Sequence, residues 1–299
     1  MKKIVFIMNF FLVTVMFFGC GDSEKQADGK MKVFVSIAPQ KFFAEKIGKD
    51  KISVSIMVGN NQNPHTYSPL PSQMLELEEA KLLFKIGVPF EKNWLEKVKN
   101  IYPALKIIDT SEGTVLRKTE QSVEISVHSE EEEDHEAGTP DPHVWLSPSI
   151  VSLQAENICK ALSETDPANK AFYEANLKEF QGELKQLSMD IQKLFQDKKN
   201  KRFMVYHPVL GYFADEFGLQ QLPIEIEGKN PTAKELTLLI DLAKKEKIKV
   251  IFVQIQFSRK EAAVLAGEIG GKVEEFDPLD ENYLLNMKKI AEILSSGLE

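Results

Sequence analysis

Three of the five histidines occur in short loop-like motifs, and their side chains could together bind a metal ion. His65 lies in NPHTY, His143 in DPHVWL and His207 in YHPVLGYF, each just past an apolar segment. A lone histidine in a proline-containing loop is most often a hydrogen-bonding residue, so the hypothesis requires that all three meet in the fold. Neutral imidazole nitrogens suit Zn²⁺, and the three motifs therefore predict a three-histidine zinc site.

A carboxylate could complete a tetrahedral site. Asp277, in FDPL, directly follows a predicted strand and could supply an oxygen ligand, although an Asp before proline is equally a turn former or a helix cap. Glu225, Glu227 and Asp280 are other candidate donors, and a water molecule is a further alternative. A third histidine in place of a carboxylate favours zinc over manganese.

The other two histidines, His128 and His135, lie in the acidic run VHSEEEEDHE. Like charges repel and nothing in this run can pack, so residues 128–138 are expected to form a solvated loop whatever their role. Two hypotheses stay open for this acidic histidine loop. It is either an auxiliary metal-binding loop or a plain flexible insertion.

The elements that position these residues are strands alternating with helices. Short apolar or β-branched runs occupy 32–37, 52–58, 82–86 and 105–108, and then 203–206, 222–226, 249–255 and 272–276. Helical patterns separate the runs, and this alternation predicts parallel sheets. Ligands of such sheets bind beyond the carboxyl ends of the strands, which is where the candidate metal ligands fall.

A long amphipathic segment separates the two sets of strands. Residues 167–198 begin with proline and repeat apolar side chains at three- and four-residue spacing, which predicts one helix about 45 Å long. The expected α/β fold has two lobes, each with a four-stranded, mainly parallel sheet and flanking helices. One long rigid helix joins them, and the metal site lies in the cleft between the lobes. The expected lobes are residues 31–166 and 199–299.

The first twenty residues predict an extracytoplasmic protein. Lys2 and Lys3 precede an apolar run that ends at Gly19, a pattern typical of a signal peptide over residues 1–19. The run is short for a membrane-spanning helix, which needs about 20 residues. Cys20 follows directly, and residues 20–30 are expected to form a lipidated cysteine and a polar tether. A cleaved but unlipidated signal and an uncleaved anchor are the alternatives.

Cysteine content and charge narrow the class of protein further. Besides Cys20 the chain has one cysteine, Cys159, which lies at an apolar helical position and is expected to be a buried small hydrophobe. The net charge of −8 argues against a nucleic-acid partner.

The chain resembles the metal-binding lipoproteins of zinc and manganese ABC importers. The resemblance lies in four motifs, which occur in the order NPHTYSPLPSQ, DPHVWLSP, YHPVLGYFADEFGL and FDPL. The zinc branch is the closer match, because the manganese branch has a carboxylate where His207 stands. The resemblance implies that His65, His143 and His207 are the imidazole ligands, that Asp277 supplies or approaches the fourth position, and that Cys20 is lipidated. Gln254 departs from the family, in which glutamate is common at that place.

The function implied is that of a solute receptor, not an enzyme. We expect a monomer, lipid-anchored outside the cytoplasmic membrane, that captures Zn²⁺ as its transported ligand and delivers it to ABC permease and ATPase subunits. Mn²⁺ is the less favoured ion. The alternatives are a manganese importer component, a metal-dependent adhesin and a zinc hydrolase. The last would need a general base and a substrate pocket, neither of which can be identified, and the HExxH motif is absent.

Overall fold

A computed structural model describes residues 29–59, 61–118, 140–225 and 229–298 of the chain. The predicted signal peptide, Cys20, Glu227 and the acidic histidine loop with His128 and His135 lie outside the described residues. Within the part that is described, no helix combines the length and the apolar character needed to cross a membrane.

The first sheet confirms the predicted parallel arrangement. Its four strands run in the order β2-β1-β3-β4, and all neighbours are parallel. The strands are β1 (Met31–Ile37), β2 (Ile52–Val58), β3 (Leu82–Lys85) and β4 (Lys106–Asp109), and the helices between them are α1 (Ala38–Gly48), α2 (Pro71–Leu77) and α3 (Pro89–Ile101). All three helices have proline in their first turn, where its missing N–H costs nothing.

Two helices follow the first sheet and connect it to the second. They are α4 (Pro148–Thr165) and α5 (Lys170–Phe195). The helix predicted over 167–198 is therefore slightly shorter than expected, because Pro167–Asn169 form a separate 3₁₀ turn. The Asp166 carboxylate accepts hydrogen bonds from Asn169 Nδ2 and the Tyr173 hydroxyl, both at 2.7 Å, and this holds the turn in place.

The second sheet repeats the topology of the first, with all-parallel strands in the order β6-β5-β7-β8. The strands are β5 (Arg202–Val205), β6 (Gln220–Pro223), β7 (Val250–Gln254) and β8 (Lys272–Phe276), and the helices are α6 (Gly211–Phe217), α7 (Ala233–Lys245), α8 (Arg259–Glu268) and α9 (Tyr283–Gly297). The predicted two-lobe α/β fold is confirmed.

The lobes share one hydrophobic core, and α5 runs through it. This helix packs against α1 and α4 on the first lobe and against α9 on the second. Its buried face consists of Tyr173, Asn176, Phe180, Leu184, Leu187, Ile191 and Phe195. Phe43 of α1 contacts both Phe180 and Tyr283, with ring centroids 6.1 and 4.9 Å apart. Aromatic packing of this kind joins the linking helix and both lobes into one apolar unit.

A second core cluster fills the opposite face of the second sheet, between β5 to β7 and the helices α7 and α8. Cys159 is a free thiol buried on α4, as the sequence predicts.

Candidate metal centre

The structure brings the three loop histidines together between the lobes. The candidate ligand atoms of His65, His143 and His207 all lie within 4.8 Å of one another. Their ring centroids are 4.7 to 5.8 Å apart. His143 and His207 are buried, whereas His65 lies on the open side of the group. Three imidazoles at this spacing can converge on one cation.

His65 is positioned by the loop between β2 and α2. The Asn63 side-chain oxygen accepts a hydrogen bond from the His65 backbone N–H at 2.9 Å, and this forms the tight turn that the sequence predicts. The Gln73 amide anchors the far end of the loop, because it donates to the carbonyls of Ile56 and Met57 at 3.1 and 2.7 Å.

His143 is oriented by a buried carboxylate. Asp141 Oδ1 lies 2.7 Å from His143 Nδ1 and also accepts from the His143 backbone N–H at 3.0 Å. A carboxylate on Nδ1 holds the ring so that Nε2 is left for a metal ion. The contact with Asp141 could have been suspected from the DPH motif, since only Pro142 separates the two residues.

The Asp141 carboxylate is itself held by a cluster that joins the two lobes. Arg117 Nη1 lies 3.8 Å from Asp141 Oδ2, and its Nε lies 3.2 Å from Asp215 of α6. The Tyr212 hydroxyl, also on α6, donates to the Asp141 carbonyl at 2.9 Å. A Cβ at Gly211 would lie 1.4 Å from Arg117 Nη1, so glycine permits this close approach.

His207 follows β5 and is oriented in the same way. Glu225 Oε2 lies 2.5 Å from His207 Nδ1, while His207 Nε2 is buried and has no hydrogen-bond partner among the described residues. An unpartnered buried nitrogen that faces two other imidazoles is the atom that a metal would use. The ring also stacks on Phe257, with centroids 4.8 Å apart.

Gln254, at the end of β7, fixes the backbone of His207. Its amide donates to the His207 carbonyl at 2.6 Å, and its oxygen accepts from the His207 N–H at 3.4 Å. Because an ionised glutamate cannot donate, a glutamate at this place could not make both contacts.

Asp277 lies at the carboxyl end of β8, as predicted, but it stands apart from the histidine group. Its Oδ1 accepts from Gln256 Nε2 at 2.8 Å and from the Leu279 N–H at 2.9 Å. In the part of the chain that the structure describes, the group of ligand atoms within 4.8 Å contains no carboxylate. A role of Asp277 as the fourth ligand stays a prediction.

The loop of Asp277 is connected directly to the turn of His143. Trp145 Nε1 donates to the Pro278 carbonyl at 2.8 Å, and the Trp145 ring lies edge-on to His143 at 5.3 Å. This hydrogen bond links the segments of the two lobes that carry His143 and Asp277.

Burial and mutual repulsion favour the neutral form of His65 and His207. Burial, together with the neighbouring His207 and His143, lowers the pKa of His65 to about 3. Burial also lowers the pKa of His207, although the hydrogen bond to Glu225 opposes the shift. Neutral imidazole is the form that binds a metal ion.

The cavity between the three rings is small. Its volume is ≈ 20 Å³, and it is lined by the histidines together with mostly apolar or neutral side chains such as Trp145 and Phe257. A single water molecule needs about 10–15 Å³ on the same kind of measure, so the space between the rings has the size that one small ion would fill.

Residues 33–297 match the family model described as ZnuA, zinc-uptake complex component A, periplasmic. The chain belongs to this family. It is 30% identical over 270 residues to the high-affinity zinc uptake system protein ZnuA of Bacillus subtilis, and the match covers 87% of this chain and 82% of that protein.

Three further proteins are similar to this chain. A crystal structure of ZnuA superimposes with a TM-score of 0.83 and 40% identity, and the match covers 90% of this chain and 100% of that one. The zinc-binding lipoprotein AdcA of Streptococcus pneumoniae is 27% identical over 307 residues, which cover 97% of this chain and 60% of AdcA. A laminin-binding adhesin of Streptococcus agalactiae, 24% identical with a TM-score of 0.78 over 90% of this chain and 100% of the adhesin, shares the fold.

Proposed function

We propose that the chain is the zinc-capturing component of an extracytoplasmic zinc uptake system, with Zn²⁺ as its transported ligand. The observation that carries the proposal is the buried His207 Nε2, which lacks a partner among the described residues and faces His65 and His143. Membership of the zinc-uptake family and the zinc-binding names of its relatives agree with this choice of ion.

The donor set supports zinc over manganese. Three neutral nitrogens suit Zn²⁺, whereas Mn²⁺ prefers more oxygen ligands. We propose His65, His143 and His207 as ligands, with Asp277 or a water molecule in the fourth position. For Asp277 to bind, its carboxylate would have to release Gln256 or use its other oxygen.

Transport is favoured over hydrolysis by the size of the cavity. A zinc hydrolase needs room for a substrate beside the metal, and the ≈ 20 Å³ between the rings gives none. We therefore propose a receptor and not an enzyme.

Several finer features belong to the same proposal. The receptor is a monomer that delivers Zn²⁺ to a permease driven by an ATPase, and it is held at the membrane by a lipid on Cys20. The limits of the signal peptide, the tether and the lobes remain as predicted from the sequence. The acidic histidine loop is an auxiliary metal-binding loop or a plain insertion.

Competitive titration of Zn²⁺ against Mn²⁺ tests the proposal. We expect one tight site that prefers zinc, lost in His207→Ala and kept in a control with both His128 and His135 changed to Gln. A preference for manganese, or unchanged tight binding by His207→Ala, would rule out the assignment.

A further inference from the structure

An open pocket lies at the end of the first lobe opposite the histidine group. Its volume is ≈ 570 Å³, and four lysines line it, namely Lys30, Lys32, Lys51 and Lys81. We call these four residues the lysine cluster. The chain as a whole carries a net charge of −8, so the cluster is a local departure from an acidic protein.

The parallel register explains why the four lysines share one pocket. Met31 pairs with Ile52, and Val33 pairs with Leu82, so the residues just before these pairs also lie side by side. Lys30 is thus a neighbour of Lys51, and Lys32 a neighbour of Lys81, whose N–H donates to the Lys32 carbonyl at 2.9 Å. Lys30, Lys51 and Lys81 directly precede β1, β2 and β3, and Lys32 is the second residue of β1, so all four lie at the amino end of the sheet.

Carboxylates near the cluster offset its charge in part, and two of them are exposed. Lys32 forms an ion pair with Glu79, and Lys51 lies 3.6 Å from Asp50. The Glu79 and Asp50 side chains are 64% and 71% exposed. Exposed ion pairs contribute little to stability, so these lysines can turn to a stronger anion at small cost. Thr165, Asp166 and Asn169 complete the wall of the pocket. The half-buried Asp166 carboxylate accepts from Asn169 Nδ2 and the Tyr173 hydroxyl, and its charge also offsets the lysines in part.

The chain enters the lobe at this pocket. Gly29, the first residue that the structure describes, lines it together with Lys30 and Met31. Gly29 is nine positions after Cys20 in the sequence, and a chain of that length spans at most about 30 Å. A lipid on Cys20 would therefore keep the pocket within that distance of the membrane and raise the effective concentration of headgroups around it.

We propose that the lysine cluster docks on the anionic phospholipid headgroups of the membrane that carries the anchor. The proposal depends on the proposed lipidation of Cys20 and is otherwise independent of zinc binding. Lysine amines bind phosphate as point charges, and clustered lysines near a membrane are attracted to anionic lipid. The lysines of the second lobe, Lys244, Lys245 and Lys247, are also exposed but have no tether beside them.

Docking in this way would orient the metal centre away from the membrane. The lysine cluster lies at the amino ends of β1 to β3, whereas His65 follows the carboxyl end of β2. Seven strand residues at about 3.3 Å each separate the two ends by about 23 Å. The histidine group would then face the solution from which zinc arrives.

The proposal can be tested by labelling amines of the full-length lipidated chain with a membrane-impermeant reagent. The chain is reconstituted in phosphatidylcholine vesicles with and without phosphatidylglycerol, and each lysine is read by peptide mass spectrometry. We expect labelling of Lys32 and Lys81 to fall several-fold with phosphatidylglycerol and to recover in about 1 M salt, where the Debye length is about 3 Å. Labelling of Lys244 and Lys247 should not change.

A charge-matched pair of variants controls for net charge. Lys32→Glu with Lys81→Glu should abolish the protection of Lys30 and Lys51, and Lys244→Glu with Lys247→Glu should leave it intact. Both pairs should keep the zinc affinity of the wild type, which shows that each is folded.

Three outcomes would overturn the proposal. They are equal labelling of Lys32 and Lys81 in the two kinds of vesicle, equal protection at both lobes, and protection by inorganic phosphate without anionic lipid. Flotation with phosphatidylcholine vesicles tests the lipid anchor separately. A chain that binds zinc but does not float would refute both the anchor and the docking, and it would leave the proposal of zinc capture unaffected.

Discussion

Two of the three histidines owe their orientation to a carboxylate on the ring nitrogen that faces away from the cavity. Asp141 holds His143, and Glu225 holds His207. Each carboxylate selects the tautomer whose Nε2 is free to bind and makes that nitrogen a stronger donor. The site is thus arranged before an ion arrives, and little ordering is left to oppose binding.

Replacing Glu225 with Gln should test this arrangement. The amide keeps the shape but loses the charge on His207 Nδ1, so we expect zinc affinity to fall roughly 10- to 100-fold. Isothermal titration or chelator competition would measure the change. Glu275→Gln, which removes an exposed charge that pairs with Arg259, is the matched control and should bind as the wild type does. Equal affinity in both variants would contradict the role of Glu225.

The low pKa of His65 makes the stability of the metal-free chain depend on pH. Its pKa is about 3 in the fold against 6.5 ordinarily, so between these values the unfolded chain binds more protons. Stability should therefore fall as the pH is lowered from 6.5 towards 3, with His207 contributing in the same direction.

Urea unfolding of the metal-free chain at pH 7 and pH 5 would measure this loss. We expect a smaller loss in His65→Gln than in the wild type, because glutamine has no proton to gain. An identical loss in the two proteins would show that His65 does not titrate as its surroundings imply.

At the scale of elements, the turn at Val144–Leu146 and the loop after β8 are joined by the hydrogen bond from Trp145 to the Pro278 carbonyl. Trp145→Phe keeps an aromatic ring beside His143 but removes the donor. We expect zinc affinity to fall several-fold with little change in far-UV circular dichroism, since a neutral hydrogen bond contributes about 0.5–1.5 kcal/mol. Trp94→Phe, which loses only a contact with Met74 Sδ, should bind zinc normally. A loss of affinity in both variants would mean a general effect on packing.

The elements were predictable because each strand is a short apolar run and each helix has its own periodicity. The carboxyl-edge rule for parallel sheets placed His65 and His207 correctly. The contact of Glu225 with His207 was not predictable, because it depends on the register that places the Glu225 N–H on the Tyr206 carbonyl at 2.9 Å. The sequence identifies Glu225 as a candidate donor to the metal, whereas the fold directs it to the other nitrogen of the ring.

The end of the predicted linking helix shows a similar limit. Helical spacing alone extends the segment to residue 198, but α5 stops at Phe195, whose carbonyl accepts from Lys201 Nζ. A cap supplied by a side chain six residues further along is a tertiary contact, and periodicity carries no signal for it.

At the scale of the whole molecule, the shared core predicts that the lobes unfold together. Phe180 lies in the core cluster that includes residues of both lobes, whereas Leu239 lies in the cluster of the second sheet. We expect Phe180→Ala to cost about 3–5 kcal/mol and Leu239→Ala about 2–5 kcal/mol. In both variants one cooperative transition should remain in denaturant, detected alike by circular dichroism and by fluorescence. Separate transitions for the two lobes would contradict the single core.

A folded metal-free chain is the last expectation, and it separates a transported ion from a structural one. None of the three histidines belongs to a core cluster or to a strand, so chelation should leave the chain folded, unlike a small zinc-dependent domain. Zinc should then add stability by mass action, about 2.7 kcal/mol at a concentration 100 times the Kd, and His207→Ala should gain almost nothing. Thermal unfolding with and without chelator would measure both terms. Unfolding on chelation would mean that zinc is part of the structure and is not available for delivery. A receptor must exist empty after each release, so it requires a stable metal-free form that gains stability when zinc binds.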